Sequence, residues 1–178
     1  MKKEFIWDSD WELLVLSAFR WELQSKEEHK VSDFIKENTD RFTPKGLHNA
    51  LQDCIDVVPI DKEWKPNVNK EPMRKYLEKH QKSFSGEWNE SEKYPMNDSV
   101  EHIVDYATQY SIGRETYMPG VVLDFIHKYK DMFTDSLKKK IVDDIEYAQN
   151  LGSFDDPERW NTLKKELLKE VREKGETL

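Results

Sequence analysis

The sequence predicts an all-α fold, a compact helical domain that contains two pseudo-repeated three-helix units, an inserted segment and a C-terminal helix. Apolar residues recur at the 3.6-residue spacing of a helix along most of the 178 residues. The pattern of the first part of the chain returns near its middle. No segment shows the sustained alternation that is typical of a strand.

The best-defined helix lies between residues 97 and 111. Its apolar residues occupy positions i, i+3, i+4 and i+7, which share one helical face. They are Val100, Ile103, Val104 and Ala107. Residues 97–99 (Asn-Asp-Ser) can cap its start, and Gly113 favours an end near Ser111. A second helix is expected from about Val121, and a third after Thr134.

The first part of the chain carries a weaker copy of this unit. At an offset of 89 residues, Trp11 aligns with Val100, and after the turn the offset becomes 91. At that offset Asp-Phe-Ile at 33–35 matches 124–126, Phe-Thr at 42–43 matches 133–134, and Asp53 matches Asp144. We interpret the match as a duplication, and chance similarity of two amphipathic stretches is the alternative. The predicted segments are a first unit (1–56), an insert (57–98), a second unit (99–150) and a C-terminal helix (151–178).

The remaining elements follow from local signals. Residues 1–7 form a short arm whose Phe-Ile-Trp end is expected to dock on the body, followed by helices over 11–23, 30–38 and 44–56. In the insert, 72–82 can form one helix. The polar stretch 83–97, with aromatic residues Trp88 and Tyr94, is either a packed surface loop or a binding element. Pro157 begins the last helix.

The formal net charge of −8 disfavours direct nucleic-acid binding, because such proteins are usually basic. An acidic surface can bind a basic protein partner, including the nucleic-acid groove of an enzyme, or it can serve solubility alone. The single cysteine, Cys54, excludes an intrachain disulfide and is expected to be a buried apolar residue. Without an apolar signal segment or a membrane-spanning run, a cytoplasmic protein is expected.

Catalytic and metal-binding signals are weak. His127 has Asp124 at i−3 and Asp131 at i+4, and His102 has Asp105 at i+3, so either could act as a base. A surface histidine with helix-stabilising carboxylates is the simpler interpretation. Nucleophile motifs, phosphate-binding loops and His-Glu-x-x-His are absent, so no catalytic residue, metal or cofactor is predicted.

The turn at residues 112–120 is the most distinctive local feature. Arg114 follows a helix end, where a cation stabilises free carbonyl groups, and Tyr117 can pack between two helices. The turn is therefore either a clasp between helices or a partner-binding site, since Arg and Tyr are favoured at interfaces. The predicted partner-binding residues are Arg114, Glu115, Tyr117, Trp88 and Tyr94.

Two short motifs carry a resemblance to a known group. Residues 18–21 are Ala-Phe-Arg-Trp, and residues 112–117 are Ile-Gly-Arg-Glu-Thr-Tyr. Together they resemble uncharacterised helical proteins of phages and mobile elements, in which Ala-Phe-Arg-Tyr precedes a Gly-Arg-x-Thr-Tyr turn. In this chain the two motifs are divided between the copies. The resemblance implies a small helical accessory protein.

These observations favour a non-enzymatic, acidic protein-binding module that inhibits a host nucleic-acid-handling defence enzyme, of the anti-CRISPR or anti-restriction type. The expected partner is a nuclease or another nucleic-acid-binding enzyme, and neither direct nucleic-acid binding nor a membrane is expected. Two alternatives stay open: an enzyme that uses His and carboxylate chemistry, and a structural or assembly accessory protein. The sequence leaves the oligomeric state undetermined.

Overall fold

A computed structural model describes residues 3–25, 28–57, 70–82, 92–112, 118–151 and 157–176. Within these ranges the protein consists of eight α-helices, a single 3-10 turn and two short strands. In chain order they are β1 (Glu4–Trp7), α1 (Ser9–Ser25), α2 (Lys30–Glu37), α3 (Pro44–Asp56), α4 (Lys70–Lys79), β2 (Glu92–Pro95), α5 (Asp98–Ser111), α6 (Met118–Tyr129), the 3-10 turn (Lys130–Met132), α7 (Asp135–Leu151) and α8 (Pro157–Glu176). The predicted all-α class is confirmed apart from the two strands.

The prediction that the chain has no strand is wrong at β1 and β2. The two strands pair antiparallel, with Glu4 opposite Pro95 and Trp7 opposite Glu92. Each strand has only four residues, so neither shows a long alternating pattern, and almost half of the chain separates them. Only β1 buries alternate side chains, Phe5 and Trp7. The pairing therefore depends on tertiary packing that a local pattern does not reveal.

The N-terminal arm docks on the body, as predicted, through an aromatic cluster. The Phe5 ring lies 4.6 Å from the Trp11 ring and 5.5 Å from the Phe125 ring, between centroids and with edge-to-face geometry. Trp7 stacks on Phe34 at 5.9 Å. Large aromatic side chains bury much apolar area each. This cluster therefore joins the first strand to both halves of the chain.

Helices α1 and α5 pack along each other at the centre of the molecule. Around them α1 also contacts α2, α3 and α6, and α5 also contacts α2, α6 and α7. The outer helix α4 packs on α3, and α8 packs on α7 and α6. Both inner helices are buried on most of their surface, with Leu14, Ala18, Val104 and Ala107 fully inaccessible.

Two helix boundaries differ from the prediction. Helix α6 begins at Met118 rather than near Val121, so Pro119 and Gly120 lie in its first turn. Proline is tolerated there because the first N–H groups of a helix have no intrahelical acceptor. Helix α4 spans Lys70–Lys79, two to three residues earlier than predicted.

The two halves contain the same hydrogen-bonded device at aligned positions. The Glu12 carboxylate accepts hydrogen bonds from the backbone N–H (3.1 Å) and the hydroxyl (2.8 Å) of Thr43, at the start of α3. The Glu101 carboxylate accepts the same pair from Thr134, at 2.9 and 2.7 Å, at the start of α7. Each threonine hydroxyl also caps its own helix. These contacts support a repeated unit, and the duplication itself stays a prediction.

Gly46 lies beside this device in the first half, and Gly46→Ala is expected to destabilise the protein by about 2 kcal/mol. A Cβ atom at this position would lie 2.1 Å from Glu12 Oε1. Glu12 is buried and held by Thr43, so it moves only by giving up these hydrogen bonds. In an unconstrained helix the same substitution would stabilise by about 1 kcal/mol. Urea unfolding of the parent and the variant measures the sign of the change in the free energy of unfolding.

The control is a double-mutant cycle with Glu12→Ala. Once the carboxylate is absent, Gly46→Ala should no longer destabilise, so the two effects should be strongly non-additive. An additive cycle, or a stabilising Gly46→Ala in the parent, would contradict the close contact between residue 46 and Glu12.

Candidate functional site

A polar groove of about 390 Å³ opens where α1, α3 and α5 meet. We call it the Asp53 groove. Its lining residues all carry polar groups except Val57, although carbon atoms form almost half of the lining surface; they are Arg20, Gln24, Asn49, Gln52, Asp53, Asp56, Val57 and Tyr110. Its volume lies within the range of pockets that bind small ligands or single side chains. Other grooves of the described surface have a similar volume, and a buried carboxylate, Asp53, distinguishes this one.

Helix α3 supplies most of the groove because of its amphipathic pattern. Asn49, Gln52, Asp53 and Asp56 stand at i, i+3, i+4 and i+7, so they share one face. The adjacent face is apolar and buried, and it includes Cys54, which is 1% exposed, as predicted for a small apolar residue. Asp53 lies at the boundary of these faces. Packing of the apolar face therefore draws the Asp53 carboxylate into the protein.

An ion pair joins the helices beneath the groove. Arg20 Nε donates a hydrogen bond of 2.8 Å to Asp53 Oδ1, and Arg20 Nη1 lies 3.5 Å from the Tyr110 hydroxyl. The Asp53 side chain is 4% exposed, and that of Arg20 is 40% exposed. The guanidinium thus connects α1 to both α3 and α5 while it remains accessible from the groove.

The second carboxylate oxygen of Asp53 has no such donor. Asp53 Oδ2 is buried, and it accepts no hydrogen bond from the part of the chain that the structure describes. Burial raises the pKa of Asp53 to about 6, Arg20 lowers it in part, and the nearby charge of Asp56 raises it further. A buried acceptor without a donor costs free energy. The groove therefore contains one unsatisfied acceptor.

The aligned position in the second half is Asp144, and its surroundings differ. The residue aligned with Arg20 is Gln109, which accepts a hydrogen bond of 2.9 Å from Trp21 Nε1 and donates one of 3.0 Å to Asp105. Gln109 is uncharged, so it does not supply the cation that Arg20 supplies to Asp53. Burial first, and then Asp105, raise the pKa of Asp144 well above its ordinary range. One aligned carboxyl group is thus paired with a cation, whereas the other faces a second carboxyl group.

The predicted partner-binding residues are mostly outside the described ranges. Trp88, Arg114, Glu115 and Tyr117 are among them, so the structure does not place them. Tyr94 is half-buried in β2, where its ring lies 5.3 Å from the Trp7 ring. The guanidinium carbon of Arg41 lies 5.2 Å from the centre of the Tyr94 ring. Tyr94 therefore contacts the aromatic cluster of the arm.

The carboxylates at i−3 and i+4 from His127 do not form a single cluster with its ring. Asp124 pairs with Arg159 at 2.7 Å, and the Asp131 side chain is 88% exposed. His127 Nδ1 instead lies 3.5 Å from Glu166 of α8. His127 and Glu166 line a second groove of about 380 Å³ between α6 and α8.

The carboxylates that neighbour His102 in the sequence accept their hydrogen bonds from other residues. Glu101 accepts hydrogen bonds from Thr134, and Asp105 accepts one from Gln109. The His102 ring packs on Tyr106 at 4.1 Å between centroids. Its Nε2 atom lies 3.8 Å from the Glu28 carboxylate, and burial lowers its pKa.

Among the described residues, no group of three or more His, Cys, Asp or Glu side chains could hold a metal ion. In the same ranges no helix is both long and apolar enough to cross a membrane. Comparisons with protein-family models, curated proteins and solved structures produced no match.

The sequence contains signals for the Asp53 groove that the prediction of site residues did not use. Arg20 lies in the Ala-Phe-Arg-Trp motif, and Asp53 is one of the positions that align with the second copy. What could not be predicted is that α1 and α3 bring these two residues together, since 33 positions separate them in the chain. A polar i, i+3, i+4, i+7 face on α3, beside an apolar one, is the local signal.

Proposed function

We propose that this protein is a non-enzymatic, acidic protein-binding module that inhibits a nucleic-acid-handling enzyme by occupying a basic surface of it. The observation that carries the proposal is the excess of eight negative charges on a folded helical chain, 36 acidic against 28 basic residues. Basic nucleic-acid grooves attract such surfaces electrostatically. The resemblance of two short sequence motifs to mobile-element proteins, and a cytoplasmic location, belong to the same proposal.

Two exposed side chains on the described surface also support the proposal. Ile55 is 54% exposed on α3 and Tyr147 is 68% exposed on the aligned helix α7. Each stands beside acidic residues, Asp56 and Glu146 respectively. An apolar or aromatic side chain within a charged rim is a common composition of protein interfaces.

The test is affinity capture from a nuclease-treated host lysate, followed by reconstitution with the purified captured protein. We expect a dominant basic protein whose activity on nucleic acid is lost at equimolar addition of this chain. Binding should weaken strongly between 50 and 300 mM NaCl, because charge attraction is screened. Capture of no protein, or full activity of the captured enzyme at saturation, would contradict the proposal.

Two variants locate the binding surface in the same experiment. The Arg114→Ala, Tyr117→Ala double variant removes the distinctive side chains of the turn at residues 112–120. Asp53→Asn removes the charge of the Asp53 groove with little change of shape. Loss of capture with one variant and not the other assigns the partner contact to that surface, provided that circular dichroism shows both to be folded.

A further inference from the structure

We propose that the Asp53 groove binds an arginine side chain of the protein partner, with Asp53 Oδ2 accepting a hydrogen bond from the guanidinium group. This inference rests on the proposed function and specifies its partner chemistry. The groove is open to solvent and Asp53 is one of its lining residues, but Asp53 Oδ2 is closed to solvent and lacks a donor among the described residues. An incoming guanidinium therefore reaches this oxygen only when the side chains that cover it move aside. A charge-assisted hydrogen bond from an incoming cation would satisfy this oxygen.

The charges around the groove select a cation. Asp53 and Asp56 contribute two negative charges, and Arg20 contributes one positive charge. Arg20 is already bound to Asp53 Oδ1 and lies beside the Tyr110 hydroxyl, so two of its five N–H donors are engaged within the protein. An incoming cation would bring the net charge of the groove from −1 to zero.

The polar lining favours arginine over lysine. A guanidinium group has five N–H donors in a fixed plane, and one of them can reach Asp53 while others reach neighbouring acceptors. The Gln52 amide already donates to Asp56 Oδ2 at 2.7 Å, which holds that carboxylate at the rim. Asn49 adds an amide oxygen to the same wall. Lysine offers a single compact charge and matches fewer of these acceptors.

The apolar side chain of Val57 fits the same occupant. It lies at the C-terminal end of α3, lines the groove and is half-buried. The aliphatic stem of an arginine that enters the groove can pack on such an apolar neighbour, while its charged end remains among polar groups.

The test is an NMR titration of the ¹⁵N-labelled full chain with acetyl-Gly-Arg-Gly-amide at pH 7.5 and 50 mM NaCl. We expect saturable shifts of the Asn49, Gln52 and Asp53 amides and of the Arg20 Nε–H group, with a Kd of order 1 mM for a single side chain. The matched peptide with citrulline, which is neutral and nearly isosteric, should bind at least tenfold more weakly. Equal shifts with both peptides would overturn the inference.

Three variants test whether the arginine peptide binds in the Asp53 groove. Asp53→Asn should weaken binding of the arginine peptide at least fivefold, and Asn49→Lys, which places a cation in the groove without touching the core, should abolish it. Asp143→Asn is the matched control, because it removes the same charge from an exposed position of α7 and should leave the Kd unchanged. If Asn49→Lys still bound the arginine peptide with unchanged affinity, or if Asp143→Asn lost as much affinity as Asp53→Asn, the peptide would not bind in the Asp53 groove and the inference would be wrong.

Binding should also depend on pH. Arg20 from α1, Asp56 from α3 and Tyr110 from α5 face Asp53, whose pKa is raised to about 6. A cation binds the ionised carboxylate, so affinity should fall about fourfold between pH 7.5 and pH 5.5. A pH-independent Kd would contradict contact with Asp53.

The inference and the proposed function can fail separately. If the parent captures its partner and Asp53→Asn captures it equally well, the inference is wrong and the proposed function stands. If the arginine peptide binds as expected but no inhibited enzyme is found, the proposed function is wrong and the cation site stands.

Discussion

Phe5→Ala should destabilise the protein by about 4 kcal/mol, a large fraction of the stability of an ordinary domain. Phe5 is 1% exposed and contacts the rings of Trp11, Tyr94 and Phe125. Removal of its ring leaves a cavity at the junction of the strand and both halves. Urea unfolding monitored by tryptophan fluorescence and by circular dichroism measures the loss.

Ile6→Ala is the matched control for Phe5. Ile6 lies on the same strand but is only half-buried, so its substitution should cost about 1 kcal/mol. If Phe5→Ala costs no more than Ile6→Ala, the arm does not dock through the aromatic cluster, and the pairing of β1 with β2 is contradicted.

Glu22→Ala should lower the free energy of unfolding by about 3 kcal/mol. Helix α2 has no side-chain cap of its own, and the Glu22 carboxylate of α1 accepts the hydrogen bonds that such a cap would accept. Glu22 is fully buried and accepts hydrogen bonds from the Val31 N–H at 2.9 Å, the Ser32 N–H at 3.0 Å and the Ser32 hydroxyl at 3.0 Å. The residue at the N-cap position, His29, makes no side-chain capping bond. Alanine would leave buried donors unsatisfied. Glu37→Ala, at an exposed position of α2, is the control and should be nearly neutral.

The same carboxyl group gives the stability a defined pH dependence. Burial raises the pKa of Glu22 from 4.5 to about 7, against the lowering effect of its hydrogen bonds. Between these values the folded state binds a proton that the unfolded state has released, so this contribution to stability is complete below pH 4.5 and is lost as the pH rises through 7. Asp53 acts in the same direction up to about pH 6. The free energy of unfolding should therefore fall from pH 5 to pH 8.

Glu22→Gln separates the two effects of Glu22. It keeps one acceptor oxygen and removes the titration, so its stability should vary less between pH 5 and pH 8 than that of the parent. A parent that becomes more stable over this range, or an identical pH profile of Glu22→Gln, would contradict the raised pKa of Glu22.

Helix positions were predictable because each depends on nearby residues. Thr43 with Pro44 signals the start of α3, Asn97 signals the start of α5, and both side chains make the expected capping hydrogen bonds. The apolar faces of α1 and α5 followed from their 3.6-residue spacing, and both are buried as predicted.

The sheet and the groove could not be predicted because each joins distant segments. β1 and β2 pair across most of the first hundred residues, and Arg20 meets Asp53 only through the packing of α1 on α3. The alignment of the two halves paired Thr43 with Thr134, and its offset of 89 residues also places Glu12 opposite Glu101, a pair that the sequence analysis did not use. Their shared hydrogen bonds show that internal alignment carries tertiary information that local patterns lack.

The most direct test of the cation site follows the side-chain carboxyl carbon of Asp53 by ¹³C NMR from pH 4 to pH 8. In the free protein the midpoint should lie near 6, because burial outweighs the attraction of Arg20. At saturation with acetyl-Gly-Arg-Gly-amide it should fall by at least 0.5 pH units, roughly 0.7 kcal/mol of added interaction with the ionised form. The citrulline peptide should leave it unchanged. A midpoint that is the same with and without the arginine peptide would contradict the proposal that the groove holds a partner cation.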